Sequence, residues 1–149
     1  MALYWGEGSK GRGLEITNSD PYLIFFMVNW FEKIFKIDPK TLKATLNIYS
    51  QQNEKDLKRF WSDLCKIPIE NFCKSFVKPA NKSYKKNNLY YGTIKIRVPK
   101  STDMRIKIFG WIQKVLESIN PEIEKVQKKW GHLKKVKRSV NIDKYAPIA

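Results

Sequence analysis

The chain has 149 residues, enough for one domain with a sizeable core, and 42% hydrophobic and 13% aromatic content excludes a disordered polymer. Lys and Arg number 29 against 14 Asp and Glu, a formal net charge of +15. That excess favours a polyanionic partner, nucleic acid first and an anionic membrane surface second. Cys65 and Cys73 lack CxxC spacing and His132 is the single histidine, so a zinc site is a poor reading. Buried, reduced thiols are expected instead. No secretory leader is visible, and the apolar run Tyr22 to Val28 falls far short of the roughly 20 residues a membrane span needs. An intracellular protein, cytoplasmic or nucleoid-associated and off the membrane, is expected.

At the N-terminus an apolar turn, Ala2 to Trp5, runs into Gly6-Glu7-Gly8, which places a carboxylate where a helix ends. The macrodipole is already negative there, so an acid at that point needs an offsetting cation, and a divalent ion is a natural candidate. The plainer reading is a solvent-exposed acid beside a glycine C-cap. Lys10 and Arg12 follow in a flexible stretch, and Leu14 to Thr17 alternates as a strand does. Asn18-Ser19-Asp20-Pro21 then opens a helix, with Asp20 as N-cap and Pro21 in its first turn. That helix, Pro21 to Phe35, is apolar almost all round. Burial on most sides is expected, in part at a subunit interface, with a cofactor groove as the sharper alternative.

Asp38-Pro39 breaks the chain before a clean alternation. Leu42, Ala44, Leu46 and Ile48 take one face; Lys43, Thr45, Asn47 and Tyr49 take the other, which describes a half-buried strand. Leu57, Phe60, Trp61 and Leu64 mark a further helix, and a short helix is expected over Ile69 to Val77 after Pro68. Pro79 to Asn88 reads as a lysine-rich loop. A second alternating strand follows, with Gly92, Ile94, Ile96 and Val98 against Tyr91, Thr93, Lys95 and Arg97. Ser101 or Thr102 caps a helix whose stripe is Ile108, Phe109, Ile112, Val115, Leu116 and Ile119. Asn120-Pro121 stops it, and a last amphipathic segment carries Ile123, Val126, Trp130 and Leu133 into a basic run and a tail. The sum is an α+β fold with helices on one face of a mostly antiparallel sheet, completed by a fourth strand around Tyr84 to Tyr90. Residues 1–120 form the main domain, and 121–149 a basic C-terminal helix and tail.

The polar sides of the strands combine Glu15, Thr17, Lys43, Thr45, Asn47, Tyr49, Thr93, Lys95 and Arg97, with one acid among them. Such side chains can enter the major groove: Lys and Arg suit guanine, Asn suits adenine. Lys10, Arg12, Lys82, Lys85 and Lys86 would supply salt-dependent phosphate contacts. The plainer account is that any half-exposed sheet has a polar face.

Met1 to Ser9, MALYWGEGS, resembles the end of the LAGLIDADG motif of homing endonucleases, with Gly6, Glu7 and Gly8 on its final A-D-G positions. The order of elements to about residue 119 resembles that family too. The resemblance implies a saddle-shaped sheet and a motif helix packed against its counterpart in a second copy through the small residues Ala2 and Gly6. It further implies Mg²⁺ held by Glu7 with a carbonyl near Gly6, and a homodimer cutting duplex DNA at a near-palindromic site. Lys95, Gln51 and Lys10 would be candidates for the group that positions water or steadies the phosphate. The visible chain starts inside the motif helix, and Trp5 is bulkier than usual there. Two other functions remain open: a catalytically silent DNA-binding regulator on the same fold, or an RNA-binding, maturase-like protein.

Overall fold

The computed structural model describes residues 1–11, 13–79 and 89–135. In chain order these form α1 (Ala2–Glu7), β1 (Glu15–Asn18), α2 (Pro21–Phe35), β2 (Lys43–Tyr49), α3 (Glu54–Cys65), β3 (Phe76–Lys78), β4 (Thr93–Arg97), α4 (Thr102–Leu116) and α5 (Asn120–Lys129). Residues Met1–Ile112 make one compact unit and Gln113–Ala149 another.

The fold is α+β. Its sheet has the order β1-β4-β2-β3. β4 pairs antiparallel with both β1 and β2, while β3 lies parallel to β2, so the sheet is mixed. Alternation in sequence becomes alternation in burial. Ile16, Ala44, Leu46, Ile48, Ile94 and Ile96 are all buried, and their neighbours along the strands face solvent. The core continues through Ile24, Met27 and Phe31 of α2, Leu57, Trp61 and Cys65 of α3, and Ile108 of α4.

Local chemistry fixes the elements. Asp20 caps α2 as expected, accepting from the Tyr22 amide at 2.9 Å. Asn53 does the same for α3, accepting from Lys55 and Asp56. Both helices end on a lysine in the left-handed region, Lys36 at φ 56° and Lys66 at φ 59°. Buried Ser101 joins the ends of β1 and β4: its Oγ accepts from the Leu14 amide at 2.8 Å and donates to the Val98 carbonyl at 2.6 Å.

Several expectations change. No helix covers Ile69 to Val77; a 3-10 turn at Ile69–Asn71 leads into β3. The segment follows β2 instead, with the Cys73 amide donating to the Ala44 carbonyl at 2.8 Å. β3 is thus the fourth strand. Of the stretch expected to supply one, Tyr84 to Asn88 lies outside the described residues, and Leu89 and Tyr90 lead into the turn before β4. Helix α2 is less enclosed than its composition implies: Tyr22, Phe25, Phe26 and Ile34 are exposed. Cys65 is buried, but Cys73 is exposed, because it lies in extended chain rather than on a helical stripe. The C-terminal apolar stripe is also exposed, from Val115 to Leu133.

Candidate nucleic-acid interface

The polar face of the sheet is built in rows by strand register. Glu15, Arg97 and Lys43 stand side by side; next come Thr17, Lys95 and Thr45; then Thr93, Asn47 and Phe76; and last Tyr49 with Lys78. Strands lie about 4.8 Å apart and same-face residues about 7 Å apart, so the rows form a regular grid of side chains. Every strand residue expected on this face from β1, β2 and β4 is found there. β3 adds Phe76, expected on the helix over Ile69 to Val77, and Lys78 just beyond that span.

The face is cationic. Lys43, Lys78, Lys95 and Arg97 project from it against the single acid Glu15, which pairs with Lys95 at 3.0 Å. Lys43 donates to the Asn71 side chain, which in turn donates to the Lys40 carbonyl. The Lys78 ammonium sits 5.9 Å from the centre of the Tyr49 ring. Lys95 and Lys43 are therefore held by side-chain partners. Thr17 and Arg97 stand exposed at one end of the face.

The expected catalytic residues do not gather at one point. Glu7 is exposed at the end of α1, where its Oε2 accepts from the Asn18 side-chain amide at 3.2 Å. Lys95 is engaged by Glu15. Gln51 is exposed in the turn after β2, and β1 and β4 separate that strand from α1. Its neighbour Gln52 is the one with structural work. Gln52 accepts from the Tyr49 amide and donates to the carbonyls of Leu89 and Tyr90, tying the approach to β4 onto the end of β2.

The negative end of α1 has its own cation. The Lys10 ammonium donates to the carbonyls of Trp5 at 2.6 Å, Gly8 at 2.9 Å and Gly6, more weakly, at 3.4 Å. The electrostatic need that pointed to a metal ion is thus met within the chain. Lys10 had been expected as a phosphate contact; its ammonium is instead folded onto this helix end. Among the described residues no group of three or more His, Cys, Asp or Glu side chains is placed to hold a metal ion. Arg12, Lys82, Lys85 and Lys86 lie outside the described residues.

α1 is short, and one buried side chain anchors it. Tyr4 packs edge-on against Phe31 with ring centres 6.2 Å apart and donates to the Ser9 carbonyl at 3.1 Å. Burial pushes its phenol above the ordinary range. Gly8 lies against Tyr4 so closely that an added Cβ would stand 2.5 Å from the Tyr4 carbonyl and ring. At Gly6 an added Cβ would meet nothing within 4 Å.

No family model matches the chain, and no curated relative or solved structure matches it either. Among the described residues no helix is long and apolar enough to cross a membrane.

Proposed function

We propose that this chain is a DNA-binding protein of LAGLIDADG type that docks the polar face of its sheet on duplex DNA. The carrying observation is the grid itself: four cations, a threonine on each side of Lys95, and Asn47, with the one acid already neutralised. Lys and Arg would supply phosphate contacts and guanine readout, and Asn47 adenine readout. The overall +15 charge favours encounter with a polyanion at long range. Selection of bound sequences from a randomised duplex library tests this directly. Enrichment of a defined site is expected, and binding to structured RNA in preference to duplex would replace this reading with the maturase-like one.

A second reading, Mg²⁺-dependent cleavage by a homodimer, rests on Glu7 and Gly6. Glu7 is exposed with Asn18 engaging a single carboxylate oxygen, and the open space at Gly6 leaves room for a partner helix. One copy offers too few hard oxygen donors for the ion. The fit requires the Glu7 carboxylates of two copies, with the Gly6 carbonyl as a further donor once the Lys10 ammonium that now lies 3.4 Å from it is displaced. An ion held there would activate water and neutralise charge at the phosphate. Incubating the selected duplex with Mg²⁺ separates the readings. Cleavage lost in Glu7→Gln while binding persists favours the endonuclease; binding without cleavage by either protein favours the silent regulator.

A further inference from the structure

Glu15 is the single acid among the strand residues of a face that is to meet a polyanion, where a negative charge weakens the attraction to phosphates. Its ion pair adds little to the fold, because both partners are partly exposed. Its geometry is more telling. Strand register sets Glu15 directly opposite Arg97, and Lys95 directly opposite Thr17. The ion pair nevertheless forms on the diagonal, with Glu15 Oε2 and Lys95 Nζ 3.0 Å apart. Lys95 stands on β4, flanked by β1 and β2, and its side chain is 44% exposed. The face therefore presents one acceptor and one donor side by side, in a fixed order.

That spacing matches a feature of the major groove. In a G·C pair the guanine O6 accepts from the cytosine N4 amino group, the two atoms lying about 2.9 Å apart. The Lys95 ammonium can donate to O6 while the N4 amino group gives its free hydrogen to the Glu15 carboxylate. The four groups then close a ring of hydrogen bonds in which no donor meets a donor. The other base pairs fit worse. C·G and A·T set an amino group against the ammonium and a carbonyl against the carboxylate. T·A keeps the order of acceptor and donor. Its thymine, however, puts a methyl group where guanine offers N7 to the ammonium, and its adenine puts the N7 lone pair beside the carboxylate.

On the basis of the duplex-docking reading above, we propose that the Glu15–Lys95 ion pair reads a single G·C base pair, guanine on the Lys95 side and cytosine on the Glu15 side. The carboxylate then trades nonspecific affinity for discrimination at one position, and it holds the lysine where O6 will lie.

The test is selection from a randomised duplex library, followed by anisotropy titration of the selected duplex and its base-pair variants, with far-UV circular dichroism as the folding control. The original chain should favour G·C at one position, and at its symmetry mate in a two-fold site, by about tenfold over the alternatives. Glu15→Met and Lys95→Met keep side-chain length without the polar ends, and each should remove that preference. Glu15→Met should also bind nonspecific duplex more tightly, because it deletes an acid from the face. The double swap Glu15→Lys/Lys95→Glu restores the pair in the opposite sense and should select C·G at the same position. A preference unchanged in the single variants, or not inverted in the swap, would overturn the pairwise readout while leaving duplex docking intact. So would a selected site with no G·C position. Absence of duplex binding by the original chain would instead overturn the docking reading, and this inference with it.

Discussion

Two glycines two residues apart do opposite work. Gly8 touches Tyr4 at a distance no Cβ tolerates, so Gly8→Ala must push α1 off its anchor, and a loss of about 2 kcal/mol is expected in urea denaturation. Gly6 is open, so Gly6→Ala should gain about 0.5 to 1 kcal/mol from the better helix former. The two cysteines separate in the same way. Exposed Cys73 should react with a thiol reagent in the native protein at pH 8, and Cys65, whose thiol burial pushes up to about 12, only in denaturant. The Cys65 and Tyr4 pKa values are both raised by folding, so the unfolded chain releases these protons first as pH rises. Stability from both is complete below about pH 9 and should fall from there toward pH 12, which denaturation across that range checks.

At the scale of elements, long-range hydrogen bonds decide what periodicity cannot. Ser101→Ala would strand the buried Leu14 amide, and about 1 to 3 kcal/mol should be lost by urea denaturation. Lys66→Gly at the end of α3 should instead stabilise by about 1 kcal/mol, since only glycine adopts that left-handed conformation without cost. β1, α2, β2, α3, β4 and α4 were legible in the sequence because period and caps agree: Asp20-Pro21 opens α2, and Leu42 to Tyr49 alternates without a fault. β3 was not. Phe72, Cys73 and Phe76 have helical spacing, and the force that extends them is the hydrogen-bonding edge of β2, which lies some thirty residues away in sequence. The exposed aromatic side chains of α2 were equally hidden, because composition reports apolarity and not which neighbours exist to cover it.

For the whole molecule, the polar sheet face was readable in advance because strand alternation alone sorts Thr45, Lys95 and Arg97 to one side. The arrangement around Glu7 was not. That the cation at the end of α1 is Lys10, and that Asn18 holds Glu7, are consequences of a loop returning on its own helix, for which the sequence carries no periodic signal. The most direct measurement is the affinity for duplex DNA as a function of salt, for the original chain and for the double variant Lys43→Ala/Arg97→Ala. Both side chains stand in the row with Glu15. The account predicts a steep loss of affinity with salt, weaker binding by the variant, and a salt slope shallower by about two. Unchanged affinity and slope in a folded variant would contradict it, because the duplex would then be held somewhere other than the sheet.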